Sequence, residues 1–324
     1  MNNFNLTVRK YILLWVFIAM VAGYLAGRYN PERVVKLEFL LTPLAFLMIF
    51  IMVFPPNLSS LLKIKFYIYP LLVSFILFIA SPLMAYTVSY IIPQKYNFLR
   101  TGIIISSTVP PNAMLSAWTS FLEGDIILTL IIQSFSSFIA LGIMPFGLPL
   151  LFEDTSYFSF RILITNIGFL IVIPIVLGGL IKLIFRNIFT IDVLKKIKPT
   201  LSSVSGIIEI FIILISVALR AEIIKNNPVI IIWGVLTAYC YYAVCFILAI
   251  FVSRLFNFPY ETAIPLIYQN GSKNLSVAMV VAITSFKSQA VLGVAASILA
   301  QFPASAFFYS ISIRYLRKKS IDNP

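Results

Sequence analysis

The chain has 324 residues, of which 60% are hydrophobic and 11% charged, and its mean hydropathy is +1.01. Soluble domains carry roughly 45–50% apolar and about 25% charged residues, so this composition excludes both a soluble globular enzyme and a disordered chain. The net charge of +13 falls in short clusters between apolar runs. Such clusters indicate membrane topology and contact with an anionic lipid leaflet, and we expect no nucleic-acid partner.

Apolar runs long enough to cross a bilayer, about 20 residues each, follow one another along the chain. We predict an all-α integral membrane protein with about ten transmembrane helices and no separate soluble domain. The predicted spans are 11–27, 36–54, 66–92, 100–122, 124–150, 160–186, 202–221, 228–256, 259–286 and 288–314.

The first run follows Arg9 and Lys10, as a signal peptide would. It is longer than the usual apolar region of 7–15 residues, so we interpret it as a retained span. Loops on the N-terminal side of the membrane carry more Lys and Arg than the loops on the other side. The positive-inside rule therefore predicts a plasma-membrane protein with both termini in the cytoplasm.

Two spans are interrupted by residues that a lipid-facing helix does not tolerate. The fourth contains residues 106–112, SSTVPPN, in which paired prolines remove two backbone donors and break the helix. The ninth contains residues 268–274, YQNGSKN, of which nearly all are polar or Gly. A single Pro in a membrane helix is usually only a kink, but two polar interruptions favour a substrate pathway.

The two interruptions occupy matching places in the chain. Dividing it into residues 1–155 and 156–324 gives two sets of five spans, with each break in the fourth span of its set. Because five is odd, the second set enters the membrane from the opposite side, as in an inverted repeat whose broken helices meet near the bilayer midplane. Half-helix N-termini there present N–H groups to an anion, and free carbonyls can hold a cation.

The residues needed for enzyme catalysis, metal binding or ATP hydrolysis are missing from the sequence. The absence of His excludes an imidazole base or ligand, and Cys240 and Cys245 are interpreted as packed thiols. Paired intramembrane carboxylates and a GxxxxGK[ST] motif are also missing, so we expect no enzyme, no metal centre and no ATP coupling. A passive channel is a remaining alternative. The sequence gives no indication of an oligomeric state.

The two breaks and the segments around them resemble those of the bile acid:sodium symporter superfamily, which includes the arsenical-resistance permeases. The resemblance rests on the break at 109–112, on FLEGD at 121–125, on PIVLGGL at 174–180 and on the second break at 269–276. It implies ten helices in two inverted repeats, a core domain with crossed broken helices, a panel domain, and alternating access. In the sodium-dependent members it also implies two sodium ions at the crossing.

The sodium positions match only in part. The first site falls on Leu115, Ser116, Thr129 and Gln133. In the second, the Glu-x-Gly-x-Gln-Asn pattern falls on residues 269–274, so that Gln269 stands for the bridging carboxylate and Lys273 for a glutamine ligand. An ammonium repels a cation in a poorly screened interior. We therefore expect no resident cofactor, and no two-sodium coupling.

Our central hypothesis is that Lys273 replaces a coupling ion and helps to hold a small anionic substrate. If desolvation destabilises its charged form, proton gain and loss would couple transport to pH. The alternative is a Lys that reaches an interface or caps a helix. The candidate binding residues are Pro110, Pro111, Asn112, Ser116, Thr129, Gln133, Gln269, Asn270, Gly271, Ser272, Lys273 and Asn274; weaker candidates are Trp118, Ser136, Ser137, Glu209, Tyr268 and Gln301.

The substrate class that fits this reading is an organic anion of the carboxylate type. The alternatives are sodium-coupled symport within the same family and arsenite or oxyanion efflux. The arsenical permeases carry a cysteine near the fourth-span break, because trivalent arsenic favours thiolate. This chain has Ser106, Ser107 and Thr108 there, which makes arsenite the second choice.

Overall fold

The structure is a computed structural model, which describes residues 12–53, 67–151, 173–184, 210–226, 228–286 and 290–321, together with residues 161, 165, 169, 200, 204, 207 and 208. Regular structure in these residues is helical, as predicted, and their only strand-like pairing is one isolated bridge. Among them, the helices long and apolar enough to span a membrane are Ile68–Ser89, Ile126–Leu151, Val229–Leu255 and Val291–Ser312.

Shorter described helices coincide with the other predicted spans. Four of them lie at Ile12–Tyr29, Leu41–Val53, Ile173–Ile184 and residues 210–218. The last helix continues to Ile321, past the predicted end at 314. Glu209 lies outside the described residues.

One compact unit comprises Met1–Pro56, Ser156–Ile231 and Met279–Leu292. Within it, Gly23 and Gly27 let the helix Ile12–Tyr29 approach the backbone of residues 210–218 closely. A Cβ atom at either glycine would lie well inside van der Waals contact of the carbonyl oxygen of Leu214 or Ala218. This small-xxx-small spacing is the common device for close helix packing in membranes, where lipid gives no hydrophobic driving force.

The second unit comprises Asn57–Thr155, Ile232–Ala278 and Gly293–Pro324, and it contains both interruptions. The fourth predicted span forms the first broken helix, Asn97–Thr108 and Ala113–Phe121. The ninth forms the second broken helix, Tyr260–Gly271 and Leu275–Ser285. Both breaks are thus confirmed at the predicted residues, whereas the division of the chain into repeats at residue 155 stays a prediction.

The helix Ile68–Ser89 is the structural support for both breaks, since it packs against Asn97–Thr108 and against Tyr260–Gly271. Its buried residues include Ser74, Leu77, Phe78 and Ser81. These positions are spaced by three or four residues, so they form one face of the helix. That face is directed at the segments that carry the interruptions.

Candidate functional site at the crossing of two broken helices

The first break is shaped by hydroxyl groups as well as by proline. The side chains of Ser106, Ser107 and Thr108 each donate to a carbonyl oxygen three or four residues earlier, at 2.6–2.8 Å. Such hydrogen bonds to the preceding turn are usual for Ser and Thr in membrane helices. The three hydroxyls thereby supply hydrogen bonds to carbonyls in the last turns of their own helix. The next residue, Val109, has an extended backbone with φ −76° and ψ 150°.

An asparagine starts the second half of each broken helix. The amide N–H of Met114 donates to Oδ1 of Asn112 at 2.9 Å, and that of Val277 donates to Oδ1 of Asn274 at 3.4 Å. Asn is among the preferred N-cap residues, since its side chain accepts from an otherwise unpaired N–H of the first turn. Asn112 and Asn274 therefore have a structural role in both half-helices.

The two breaks cross and pair with each other reciprocally. The N–H of Asn112 donates to the carbonyl of Ser272, and the N–H of Asn274 donates to the carbonyl of Pro110, each at 2.8 Å. Between these two hydrogen bonds, Pro111 and Lys273 lie opposite one another as an antiparallel pair. The crossing thus satisfies backbone groups that the interrupted helices leave free.

Lys273 is completely buried at this crossing. Its side chain is 0% exposed, and its Nζ has no hydrogen-bond partner among the described residues. Its Nζ lies 4.1 Å from the centre of the Phe78 ring, and Cys245 lies nearby on the helix Val229–Leu255. This position excludes the alternative of a lysine reaching an interface. A buried charge normally needs a partner, so a protonated Lys273 at this position calls for an anion.

Gln269 and Asn270 are bound to the helix Ile68–Ser89. Gln269 accepts from the Ser74 hydroxyl at 2.6 Å and donates to the Ser74 carbonyl at 3.0 Å, so its amide is satisfied on both sides. Asn270 donates to the carbonyl of Leu77 at 3.0 Å. Its Oδ1 and the hydroxyl of Ser272 are buried and have no hydrogen-bond partner in the described part of the chain.

Gly271 is required by packing. A Cβ atom there would collide with the ring of Phe246, which is 0% exposed and stacked on Phe308 with ring centres 4.6 Å apart. The hydroxyl of Ser305 donates to the Gly271 carbonyl at 2.9 Å. The end of the half-helix is therefore fixed from two sides.

The first-site positions are also engaged in internal hydrogen bonds. Ser116 donates to Oε1 of Gln133 at 3.3 Å, and Gln133 donates to the carbonyl of Asn112 at 2.7 Å. The Thr129 hydroxyl lies within hydrogen-bonding distance of the Thr119 hydroxyl, at 3.0 Å, and of the Asp125 carbonyl, at 2.8 Å. The structure brings Ser116 and Gln133 to the crossing through Asn112.

Asp125, in the FLEGD segment between the fourth and fifth spans, has a structural role at the start of a helix. Its carboxylate accepts from the N–H groups of Ile127 and Leu128 at 2.8 and 3.0 Å, so it is the N-cap of the helix that follows. The N–H of Asp125 itself donates to the carbonyl of Glu261 at 2.9 Å, which connects this cap to the start of the second broken helix.

Several weaker candidates have local partners. Trp118 stacks on Tyr268 with ring centres 5.6 Å apart, and Trp118 lines an open surface pocket of about 390 Å³ together with Phe121, Ala306 and Tyr309. Gln301 accepts from the Tyr242 hydroxyl at 3.2 Å, an interhelical hydrogen bond. Ser136 is buried, and Ser137 is exposed and donates to the Gln133 carbonyl.

The sequence prediction missed residues on two other helices that lie close to Lys273 or belong to the hydrogen bonds around the two broken helices. These are Ser74, Phe78 and Ser81 on the helix Ile68–Ser89, and Tyr241 and Cys245 on Val229–Leu255. Ser81 is hydrogen-bonded to the Tyr241 hydroxyl at 2.7 Å and donates to the Ser107 carbonyl at 3.1 Å. The available signal was a pair of serines seven residues apart in an apolar helix, which places both on one face.

A polytopic helical membrane protein whose broken helices cross inside one unit has the architecture of a secondary membrane transporter. The chain matches the Sodium Bile acid symporter family over residues 42–227, more than half of its length, and it belongs to that family. The predicted superfamily and the predicted class, a membrane transporter, are thereby confirmed.

Two individual proteins are similar over most of the chain. The Arsenical-resistance protein Acr3 of Corynebacterium glutamicum is 23% identical over 313 residues, which cover 89% of this chain and 84% of that protein. The uncharacterized protein YbaS of Bacillus subtilis is 23% identical over 238 residues, which cover 74% of this chain and 76% of that protein.

Proposed function

We propose that this transporter moves a small organic anion by alternating access, with Lys273 as the fixed cation of its binding site. The observation that carries the proposal is a fully buried lysine at the crossing whose Nζ has no hydrogen-bond partner among the described residues. A substrate carboxylate would supply the missing acceptors, and a charge-assisted hydrogen bond of this kind is among the stronger ones in proteins.

The same residues argue against coupling to two sodium ions. Sodium requires oxygen ligands, but the Gln269 amide is already satisfied by Ser74 on both sides. Lys273 adds a positive charge where a second ion would sit. Repulsion between two unit charges at 4 Å is about 4 kcal/mol at an effective dielectric of 20, which disfavours a sodium ion beside the ammonium.

In this proposal the protein lies in the plasma membrane with cytoplasmic termini, as the distribution of basic residues predicts. Two half-helices begin at Ala113 and Leu275, so their N-termini, the positive ends of the helix dipoles, lie next to the crossing. Their dipoles favour an anion at the same place as the ammonium. The proposed coupling is protonation of Lys273 or exchange of anions.

The test is thermal unfolding of the detergent-purified protein with a panel of small carboxylates, in sodium buffer and in potassium buffer of equal ionic strength. A ligand at 100 times its Kd adds about 2.7 kcal/mol to stability. We expect equal stabilisation with and without sodium, its loss in Lys273→Gln, and partial retention in Lys273→Arg. Uptake into proteoliposomes should saturate and show counterflow, which distinguishes a carrier from a channel.

Two outcomes would contradict the proposal. Stabilisation that requires sodium would mean that a sodium site forms despite Lys273. Unchanged ligand stabilisation and unchanged pH dependence of uptake in Lys273→Gln would remove the ammonium from the mechanism.

Arsenite efflux is the second candidate, supported by the similarity to Acr3 and by the position of one thiol. Cys245 is 1% exposed and lies near Lys273, and its Sγ lies 3.8 Å from Sδ of Met84. Sulfur is a soft ligand of the kind that trivalent arsenic prefers. Cys240 is on the same helix but only half-buried, so it provides a matched control.

The deciding experiment compares arsenite-dependent stabilisation and arsenite efflux in Cys245→Ser and Cys240→Ser. If arsenite is the substrate, both effects should disappear in Cys245→Ser alone. If arsenite neither stabilises nor is exported by the wild type, this candidate is eliminated.

A further inference from the structure

The crossing contains three buried polar atoms without hydrogen-bond partners among the described residues, all within four positions of the chain. They are Oδ1 of Asn270, Oγ of Ser272 and Nζ of Lys273, on side chains that are each no more than 1% exposed. Buried polar groups in proteins are nearly always paired, so a cluster of three unpaired atoms at the crossing points to a ligand that supplies the partners.

Two of these side chains contact the same turn of one helix. Asn270 donates from Nδ2 to the carbonyl of Leu77, and the Lys273 ammonium lies over the ring of Phe78, the next residue. Oδ1 of Asn270 and Nζ of Lys273 therefore belong to one small region of the crossing.

The hydrogen-bond capacities of the three atoms differ. Because the Leu77 carbonyl can only accept, the Asn270 amide must present its NH2 group there and direct Oδ1 elsewhere. Oδ1 can only accept, Nζ can only donate, and the Ser272 hydroxyl can do either. A simple carboxylate has acceptors alone, so it would pair with Lys273 and Ser272 but leave the Asn270 oxygen unpaired.

We propose that the substrate carries a hydroxyl group beside its carboxylate, with the carboxylate bound by Lys273 and the hydroxyl donating to Oδ1 of Asn270. The donor is neutral, because a second ammonium next to Lys273 would be repelled. This inference rests on the proposed function and narrows its substrate class to hydroxy acids. Loss of one such hydrogen bond to a buried acceptor weakens binding by about tenfold or more.

The test uses matched pairs of acids on the full-length protein in detergent, with Kd measured by titration calorimetry. Lactate should bind at least about tenfold more tightly than propionate, and malate more tightly than succinate. The methyl ether 2-methoxypropionate keeps the oxygen of lactate but has no donor, so it should bind as weakly as propionate. This comparison needs no variant and therefore does not depend on whether any substitution folds.

Asn270→Leu should abolish the difference between lactate and propionate. Ser253→Ala is the matched control, because the Ser253 hydroxyl is also buried and unpartnered among the described residues but lies eight positions, about 12 Å of helix, beyond Cys245. The control should leave the difference unchanged.

The outcomes separate this inference from the proposed function. Equal binding of lactate, propionate and the ether overturns the hydroxy-acid inference while the organic-anion function stands. A hydroxyl preference that persists in Asn270→Leu overturns the assignment to Asn270. Binding of none of the acids refutes the proposed function itself, together with this inference.

Discussion

The contact between Lys273 and Phe78 allows a direct test of whether the buried lysine is a cation. The ring of Phe78 is 1% exposed, and its centre lies 4.1 Å from Nζ. Replacing Phe78 with Leu keeps an apolar side chain in the site but removes the electron-rich ring face. Replacing Lys273 with Met keeps the unbranched chain and removes the charge.

The cation–π interaction should contribute about 2 kcal/mol, because estimates for desolvated pairs reach this value. Phe78→Leu also loses packing, at a cost of about 1 kcal/mol, but that loss occurs equally with Met at position 273 and cancels in a double-mutant cycle. With an unfolding entropy of about 2.1 cal/mol/K per residue, 2 kcal/mol corresponds to about 3 °C in Tm for a chain of 324 residues.

The assay is thermal unfolding of the wild type, both single variants and the double variant in one detergent at pH 7. We expect Phe78→Leu to lower Tm by about 3 °C more in the wild type than in the Lys273→Met background. The matched control is Phe308→Leu, which removes another buried ring and should be additive with Lys273→Met. A coupling below about 0.5 kcal/mol, within the error of additivity, would refute the reasoning that the ring stabilises a charged lysine.

Three further predictions concern helix packing in each compact unit and the ion specificity of the crossing. Gly271→Ala should lower stability by about 1–3 kcal/mol in thermal unfolding, because the new methyl group meets the Phe246 ring. The control is Gly142→Ala, which should be neutral or stabilising because the space around Gly142 is open. Equal effects at the two glycines would contradict this prediction. Gly27→Ala should lower Tm at least as much as Gly271→Ala, since its methyl group meets a backbone carbonyl that cannot rotate away; an unchanged Tm would mean that the two helices separate without cost. Gln269→Glu alone should leave ligand stabilisation independent of sodium, because Lys273 remains. The double variant Gln269→Glu with Lys273→Gln restores the Glu-x-Gly-x-Gln pattern, so its ligand stabilisation should depend on sodium. Sodium dependence in the single variant would show that Lys273 does not exclude the ion.

The helix breaks could be predicted from the sequence because they violate local rules. Paired prolines cannot continue a helix, and the polar residues 268–274 cannot face lipid. Local chemistry of this kind needs no knowledge of the partner segment. It also identified Asn112, Lys273 and Asn274 as residues of the crossing.

The surroundings of Lys273 could not be predicted in the same way. In a soluble protein a polar outer face reveals which side of a helix is buried, but a helix in lipid is apolar on both sides. The helix Ile68–Ser89 therefore gives little indication of its inward face, apart from Ser74 and Ser81. Its contacts with Gln269, at a sequence separation of 195, arise from tertiary packing alone.

The sequence by itself determined the membrane class, the positions of both breaks and the presence of one lysine in a place where lipid is excluded. Only the tertiary structure decided that the breaks bind each other through Asn112 and Asn274, that Gln269 is occupied by Ser74, and that Lys273 lies against Phe78 near Cys245. The physical reason is that a break is a local conflict between residue type and helix geometry. The residues that contact a break depend instead on which helix faces pack together in the folded protein.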